Sequence, residues 1–402
     1  MMHSIFSSAV RFRGKVLVLL LLLAPAGCTY LEREPGYYEA SSREVSRFVR
    51  DMDSSSQGLA GWSDLSGAVL KSIEYVAVKK PGDPALDRQD LSLTWGDLHR
   101  TLIELYALLP RLDRDPDLLQ EHFVWLELTP DPLLTGYFEP FVEASLEPHP
   151  DYPYPVYGPP EDLLQADLGQ FHPRWKGETL VYTVENGKIR PYFQRNDIDF
   201  KGALQGRGLE IAWAKNLHDL FFLQIQGSGK LVLPDGSVKS ILYSGKNGHQ
   251  YVSLGRIMLQ RGLLSPDDVS MQSIRRTLEQ HPELVPELLS TNPSYVFFRL
   301  EDEGPFGSMN KLLTPFVSVA SDRKLLPLGA VTAMATELPI REGEPPRPLQ
   351  GIFLPQDTGG AIQGHRLDLF CGLGEDAEFV AGHLKADSKI YLLLHKSVVP
   401  QK

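Results

Sequence analysis

The C-terminal region combines short apolar runs with a glycine-rich segment, and this restricts it to small β-elements joined by turns. Asp357 opens the sequence Asp-Thr-Gly-Gly-Ala-Ile-Gln-Gly, and Asp368 follows eleven residues later in an apolar run. A third aspartate, Asp322, ends an alternating apolar stretch that is typical of a strand. Because turns bring distant positions together, these three aspartates are predicted to converge in one cleft.

Aspartates that share a low-dielectric cleft supply a general acid at neutral pH, since like charges push one carboxyl pKa upward. In a strand, Arg366, Asp368 and Phe370 share one face, while Leu367 and Leu369 take the other. This alternation lets Asp368 enter a groove while its neighbours pack inward. Turn chemistry is the alternative interpretation, because aspartate before Thr-Gly often caps a turn.

Apolar spacing predicts helices in two parts of the chain. Residues 41–52, 96–112 and 118–128 show a helical period in the N-terminal part. The period returns from residue 253, and residues 265–268 are predicted to start a further helix. These helices are expected to form scaffold.

Hairpins and short strands are predicted elsewhere. Asn186-Gly187 and Asp235-Gly236 favour the positive φ of tight hairpin turns, so the central segment is expected to be β-rich. Strands in the C-terminal part are predicted at residues 316–320, 330–336, 351–354 and 390–394.

Length and composition exclude several classes of protein. A chain of 402 residues is long enough for two domains. Its two cysteines, Cys28 and Cys371, exclude a disulfide framework, and Cys371 is predicted to be a buried small hydrophobe. A net charge of −11 without a basic stripe argues against nucleic acid, and no Cys/His spacing indicates a metal site.

The N-terminus indicates export. Three basic residues precede nine apolar residues at 16–24, which predicts a signal peptide at residues 1–27. Nine residues are too short for a bilayer span, which needs about 20. Small residues before Cys28 resemble a bacterial lipoprotein processing site, although Pro25 stands where an aliphatic residue is usual. An ordinary cleaved signal peptide with Cys28 unmodified is the alternative.

Longer blocks of sequence resemble a known family. Ala-Ser-Asp, Pro-Leu-Gly, Asp-Thr-Gly-Gly-Ala-Ile-x-Gly and Arg-x-Asp-x-Phe follow the order of the three-aspartate domain of bacterial cell-wall enzymes. Upstream, Leu-Thr-Gly-Tyr-Phe-Glu-Pro at 134–140 resembles a signature block of the membrane-bound lytic murein transglycosylase A family. Similar blocks lie at residues 221–229, 245–251 and 292–298. The resemblance runs from about residue 130 to the C-terminus.

The resemblance implies an α+β, β-rich fold with two domains. A double-psi β-barrel domain with N-terminal and central helices would use residues 28–141 and 245–402, with the three-aspartate region at about 315–395. A smaller β-barrel domain would be inserted at residues 142–244. The substrate groove is expected to lie between the two domains.

The resemblance also implies a reaction and its residues. Lytic transglycosylases cleave the β-1,4 bond between N-acetylmuramic acid and N-acetylglucosamine in peptidoglycan and leave a 1,6-anhydromuramyl end. Asp368 matches the catalytic acid/base, and Asp357 and Asp322 are expected to support it. The expected sugar-binding residues are Tyr137, Gln226, Ser228 and Asn247. Neither metal nor cofactor is expected.

Location and partners follow from the same resemblance. Peptidoglycan glycan strands are the expected substrate, and proteins of cell-wall synthesis or division are candidate partners. Lipid on Cys28 would anchor the protein to the outer membrane, facing the periplasm, as Thr29 after the cysteine also suggests.

Three other interpretations remain open at this stage. An inverting glycoside hydrolase would use Asp357 to activate water opposite Asp368. A non-catalytic peptidoglycan-binding lipoprotein would keep the groove without turnover. An aspartic peptidase is disfavoured, because a two-lobed enzyme needs a second Asp-Thr-Gly triplet, and the chain has none.

Overall fold

The computed structural model describes residues 34–398. The predicted signal peptide and the lipidation residue Cys28 lie outside the described residues. Among residues 34–398, no helix has the length and apolar character needed to cross a membrane.

Strands make up most of the regular structure. In chain order they are β1 (Gly36–Glu39), β2 (Pro84–Asp87), β3 (Ser92–Thr94), β4 (Phe123–Thr129), β5 (Leu133–Glu139), β6 (Phe141–Ser145), β7 (Tyr154–Tyr157), β8 (Leu164–Asp167), β9 (Thr179–Glu185), β10 (Lys188–Arg190), β11 (Glu210–Ala214), β12 (Ser228–Val232), β13 (Val238–Lys246), β14 (Val296–Glu301), β15 (Ser318–Ala320), β16 (Val331–Leu338), β17 (Arg347–Asp357), β18 (Arg366–Leu373), β19 (Lys385–Asp387) and β20 (Lys389–His395).

The helices fall between these strands. They are α1 (Ser42–Asp51), α2 (Ser66–Ala77), α3 (Trp95–Leu112), α4 (Leu118–His122), α5 (Arg195–Asp199), α6 (Leu217–Gln226), α7 (Leu254–Gln260), α8 (Met271–Gln280), α9 (Val285–Ser290) and α10 (Glu375–His383), with short 3-10 turns that include Ser54–Gln57.

A nine-stranded sheet carries the larger core. Its order is β1-β4-β20-β16-β17-β15-β18-β5-β19, with parallel pairs β15–β17 and β18–β5. Helices α2 and α3 bury Val69, Leu102 and Leu105 in the hydrophobic cluster of this sheet. The predicted α+β, β-rich class is confirmed. The hydrogen-bonded order does not close on itself in the described chain, so the double-psi barrel stays a prediction.

A six-stranded sheet forms the second core, in the order β14-β13-β12-β6-β11-β7. The chain enters it directly from β5, because β6 begins two residues after Glu139. The last strand that the chain adds to this sheet is β14, which pairs with β13. Strands β10-β9-β8 form a separate three-stranded sheet. The second sheet therefore draws on residues up to 301, and the predicted insertion limits of 142–244 stay a prediction.

Most of the local predictions are confirmed, and capping explains the helix starts. Ser41 and Thr94 form capping boxes before α1 and α3, which matches the predicted helices at 41–52 and 96–112. Both hairpin turns form: Asn186 has φ 50°, and Gly236 has φ 81°. Cys371 is buried, as predicted.

Three predicted boundaries are wrong, each for a local reason. The helix predicted at 118–128 ends at His122, because Phe123 and Trp125 alternate into the core as a strand. Helix α8 starts after Ser270, whose capping box overrides the signal at 265–268. Strand β15 starts at Ser318 instead of residue 316, because Phe316 has φ 55°.

Gln57 ties the N-terminal segment to the large sheet. Its side chain is 2% exposed, and its Nε2 donates to the carbonyl oxygens of Phe316 (2.7 Å) and Ile352 (2.8 Å). Its Oε1 accepts from the Ile352 N–H at 3.0 Å. Gly351 permits this approach, since a Cβ there would lie 2.0 Å from the Gln57 Oε1.

We expect Gln57→Ala to lower the free energy of unfolding by about 2 to 4 kcal/mol, because it leaves buried backbone groups without partners. Urea denaturation measures the change. Gln165→Ala, at an exposed position of β8, is the matched control and should change stability by less than about 0.5 kcal/mol. Equal effects of the two substitutions would contradict the role given to Gln57.

Candidate active site

A cleft of about 2320 Å³ is lined by residues of both large sheets. Thr135, Asp357 and Asp368 face it from the nine-stranded sheet, and Ser228 and Tyr243 face it from the six-stranded sheet. Pockets for small ligands typically enclose about 300 to 1,000 Å³. The cleft therefore has room for a segment of a polymer.

Strand register places the carboxylates of Asp357 and Asp368 on either side of one small residue. Strand β15 lies between β17 and β18, and Ala320 is the Cα partner of both Asp357 and Asp368. Since neighbouring strands lie about 4.8 Å apart, the two aspartate Cα atoms are separated by roughly 10 Å. The register thus brings Asp357 and Asp368, two of the three aspartates that were predicted to converge, to one level of the cleft.

Asp368 is half-buried, and the groups around it shift the pKa of its carboxyl group. The Thr135 hydroxyl donates to its Oδ1 at 2.6 Å, across the parallel pair β5–β18. Burial raises the pKa of Asp368 to about 6, while the Thr135 hydrogen bond and the charge of Arg366 oppose the rise. Asp357 adds a smaller upward effect. A carboxyl group with this pKa is protonated in about half of the molecules at pH 6 and in about a tenth of them at pH 7, so both forms are available.

Arg366 connects to Asp368 through the same threonine. Its Nη2 donates to the Thr135 Oγ1 at 3.4 Å, so the hydroxyl hydrogen is directed to Asp368. Its Nε is buried and has no hydrogen-bond partner within the described chain. Arg366, Thr135 and Asp368 therefore form one ordered row at the edge of the cleft.

Asp357 has a different environment, because its oxygens are already engaged. Its Oδ1 accepts from the Ser308 N–H (2.8 Å), the Ser308 hydroxyl (2.9 Å) and the Thr358 N–H (2.8 Å), and its Oδ2 accepts from the Tyr137 hydroxyl (2.9 Å). Three of the four donors converge on Oδ1, and the Tyr137 hydroxyl takes one of the roughly two acceptor positions of Oδ2. Burial raises the pKa of Asp357, and the hydrogen bonds oppose that rise.

Tyr137 lies close to both carboxyl groups. Burial raises its pKa first, and the charges of Asp357 and Asp368 raise it further, so it remains a neutral donor. Its ring packs against Phe370 with centroids 5.3 Å apart. The preceding Gly136 is required by packing, because a Cβ there would lie 2.9 Å from the Ala381 Cα.

Asp322 does not join the other two aspartates in lining the cleft. Its Oδ2 accepts from the Gly364 N–H and its Oδ1 from the Lys324 N–H, both at 2.9 Å. The first of these bonds holds the loop that connects Asp357 to Asp368. Asp322 is therefore placed to support the site through the backbone.

The four predicted sugar-binding residues separate into two groups. Tyr137, Gln226 and Ser228 line the cleft. Asn247 is 1% exposed, and its Nδ2 donates to the carbonyl oxygens of Phe193 and Pro293 at 2.9 Å. Its amide is thus used inside the protein, next to cleft residues at 246 and 248.

Sequence reasoning did not single out Thr135, Ser308 and Arg366. Thr135 belongs to the Leu-Thr-Gly-Tyr block, so the family resemblance marked its position. Its hydrogen-bond partner, Asp368, is 233 residues away in the sequence. Arg366 shares a strand face with Asp368, which also gave a signal. Ser308 stands in a loop without a motif and is found only through its bonds to Asp357.

Comparison with known proteins identifies the family. A family model described as "MltA specific insert domain" matches residues 133–299. A second model, described as "3D domain", matches residues 317–394, which include all three aspartates. The curated Membrane-bound lytic murein transglycosylase A of Vibrio cholerae is 34% identical over 268 residues, or 65% of each chain. The Escherichia coli K12 protein of the same name is 32% identical over 265 residues, or 64% of each chain.

A solved structure extends the match to nearly the whole chain. The membrane-bound lytic murein transglycosylase from Agrobacterium tumefaciens is 30% identical, with a TM-score of 0.74, and the match covers 90% of this chain and 98% of that one. The chain belongs to the membrane-bound lytic murein transglycosylase A family. Its aligned part spans slightly less than two thirds of the curated family members, at 65% and 64% of their lengths.

Placing the family's matched segments on the structure shows how the cleft is built. The insert-domain match contains β5 and most of the six-stranded sheet, while the 3D-domain match contains β15 to β19 and most of β20. Asp357 and Asp368 come from the second match, and Thr135 and Tyr137 come from the first. The pairing of β5 with β18 therefore assembles the site from both segments.

The raised pKa of Asp368 predicts a cost in stability. The folded-state pKa of about 6 lies above the unfolded value of 3.8, so stability falls as pH rises from about 4 to 6. We expect Asp368→Asn to increase the free energy of unfolding at pH 7 by about 3 kcal/mol and to have little effect near pH 4. Urea denaturation at both pH values measures this, and a difference that does not depend on pH would contradict it.

Removal of the Thr135 hydroxyl should raise the pKa of Asp368. We expect Thr135→Val to raise the pKa of Asp368 further, because the hydrogen bond to the carboxylate is lost. Titration by ¹³C NMR of aspartate-labelled protein measures the pKa, with Asp368→Asn used to assign the signal. Thr332→Val, which removes a buried hydroxyl bonded to the Phe353 carbonyl, should leave that pKa unchanged. A lower pKa in Thr135→Val would refute the assignment.

Proposed function

We propose that this protein is a lytic transglycosylase of peptidoglycan. It cleaves the β-1,4 bond between N-acetylmuramic acid and N-acetylglucosamine and leaves a 1,6-anhydromuramyl end. The observation that carries the proposal is Asp368, a half-buried carboxyl with a pKa of about 6 that lines a polymer-sized cleft. Membership of the family supplies the substrate class.

Asp368 serves as acid and then as base. Protonated Asp368 donates its proton to the leaving glycosidic oxygen as the bond from that oxygen to carbon 1 of the muramyl residue breaks. The carbon 6 hydroxyl of the same residue then bonds to carbon 1, and the Asp368 carboxylate accepts its proton. Oriented intramolecular groups reach effective molarities of about 10⁵ to 10⁸ M, so no second carboxylate is needed.

Thr135 and Arg366 set Asp368 for both steps. The Thr135 hydroxyl occupies Oδ1, which leaves Oδ2 to exchange the proton with substrate. The Arg366 charge and this hydrogen bond keep the pKa near 6, where both the acid and the base form are populated at working pH. Loss of either group would favour the protonated form and weaken the base step.

Asp357 is proposed to support the reaction without activating water. An inverting hydrolase needs a general base with an open acceptor position on the opposite face of the sugar. Three donors hold the Asp357 Oδ1, and the Tyr137 hydroxyl binds Oδ2, so a water would have to share Oδ2 with Tyr137. Hydrolysis is therefore the less favoured chemistry, and Asp357 instead holds Tyr137 and the loop at Ser308.

A purely binding protein is also less favoured. Holding Asp368 with a raised pKa lowers stability at neutral pH, and such perturbed carboxyls in clefts are typical of catalytic sites. We propose that Tyr137, Gln226 and Ser228 contact sugar from the cleft wall. Asn247 is proposed to position the adjacent loop, because its side chain is bonded internally.

The proposal extends to the domain architecture of the protein and to its location in the cell. We propose a double-psi barrel domain from residues 28–141 and 245–402, with residues 142–244 inserted; the parallel pairs β15–β17 and β18–β5 support this. We further propose that lipid on Cys28 anchors the protein to the outer membrane, facing the periplasm. The description of its relatives as membrane-bound supports an anchor.

The test is product analysis with matched aspartate variants. We expect purified wild-type protein to release 1,6-anhydromuramyl products from peptidoglycan, detected by mass spectrometry. Asp368→Asn should reduce release by at least about 10³-fold, since the group that transfers the proton is lost, while the far-ultraviolet circular dichroism stays native.

Asp302→Asn is the control, because its side chain is 89% exposed and pairs only with surface Lys239 at 2.7 Å in the described chain. It should retain full release. Near-normal turnover by Asp368→Asn would overturn the assignment of the acid/base. Reducing ends without the anhydro ring would instead point to a hydrolase.

A further inference from the structure

A second cluster of chemically reactive side chains lies apart from the residues that line the cleft. Glu104 of α3, His122 at the end of α4 and His395 at the end of β20 meet there, and all three are half-buried. The His122 Nδ1 lies 2.6 Å from the Glu104 Oε1, and the His395 Nε2 lies 3.9 Å from the Glu104 Oε2. One ligand atom from each residue lies within 4.8 Å of the others.

Backbone bonds fix the frame on which these side chains stand. The Lys396 N–H donates to the His122 carbonyl at 3.0 Å, which ties the end of α4 to the end of β20. The His395 N–H donates to the Thr101 hydroxyl of α3 at 3.1 Å. The three elements that carry the cluster are therefore joined on either side of it.

The outer ring nitrogen of His395 is also held. Its Nδ1 lies 2.7 Å from the Ser397 hydroxyl and accepts from the Ser397 N–H at 3.4 Å, so the ring is oriented with Nε2 toward Glu104. With a metal on Nε2, the Nδ1–H would donate to the Ser397 hydroxyl, as the second ring nitrogen of a metal-binding histidine usually does. Arg100 donates to the same hydroxyl at 3.3 Å.

We propose that Glu104, His122 and His395 form a binding site for a divalent transition-metal ion of the zinc class. Two imidazole nitrogens and one carboxylate oxygen suit zinc better than calcium or magnesium, which prefer all-oxygen sites. Zinc bonds of about 2.0 to 2.2 Å in a tetrahedron put ligand atoms roughly 3.3 Å apart. The distances of 2.6 and 3.9 Å lie on either side of that value, so small side-chain rotations suffice.

The proposed ion acts on stability and takes no part in the cleft chemistry. It crosslinks α3 and α4 to β20, and β20 lies inside the nine-stranded sheet between β4 and β16. An ion bound only by the folded chain raises the melting temperature in a concentration-dependent way. Sequence spacing gave no indication of the site, because its residues stand at positions 104, 122 and 395.

Calorimetric titration with zinc chloride tests the proposal. Purified wild-type protein should bind one zinc ion and show a higher melting temperature in its presence. His395→Ala should weaken zinc binding by at least about 100-fold and abolish the thermal shift. Glu104→Gln preserves volume and hydrogen bonding but removes the charge, so it should also lose affinity and remains informative if His395→Ala fails to fold.

Cobalt(II) absorption adds a geometric readout, since a tetrahedral site gives intense visible bands that an octahedral surface site lacks. His149→Ala is the matched control: His149 pairs with Asp151 at 3.6 Å and lies outside the cluster. It should bind zinc like wild type. Equal zinc affinity in wild type, Glu104→Gln and His395→Ala, or no binding by wild type, would overturn the proposal.

Discussion

The register of three strands determines how this protein can work. Strand β15 is only three residues long, yet it lies between β17 and β18 and places Ala320 opposite both Asp357 and Asp368. A slip of one residue in either pairing would turn the corresponding aspartate to the other face of the sheet. The parallel pairing of β5 with β18 adds Thr135 beside Asp368. The cleft chemistry therefore depends on backbone hydrogen bonds among four strands.

Two aspartates at the same level of one cleft have different environments. Asp357 accepts four hydrogen bonds from the protein, three on Oδ1 and one on Oδ2. Asp368 accepts one strong bond from Thr135, and burial dominates its pKa. Pairs of carboxyls whose surroundings differ in this way are typical of sites that separate an acid/base from a supporting group. Asp322 completes the arrangement through the loop at Gly364.

Sequence alone predicted the parts of this account that rest on local rules. Strand alternation predicted that Asp368 enters a groove, Asn-Gly and Asp-Gly turns gave the hairpins, and apolar spacing gave the helices at 41–52 and 96–112. The remaining features depend on strands that pair across long stretches of sequence. Thr135 lies beside Asp368 only because β5 pairs with β18. Asn247 stands in a family block, but its side-chain amide donates hydrogen bonds to backbone carbonyls inside the protein. At residues 122–123 the burial of aromatic side chains ended a helix that periodicity had extended.

The central claim is that one carboxyl group and an internal hydroxyl complete the reaction without water. Cleavage of peptidoglycan in water enriched in oxygen-18 tests it most directly, with the label at carbon 1 of the released muramyl ends read by mass spectrometry. We expect no incorporation, because the carbon 6 oxygen already belongs to the substrate. Incorporation of one heavy oxygen for each bond cleaved would show that water attacks, and would contradict the mechanism assigned to Asp368.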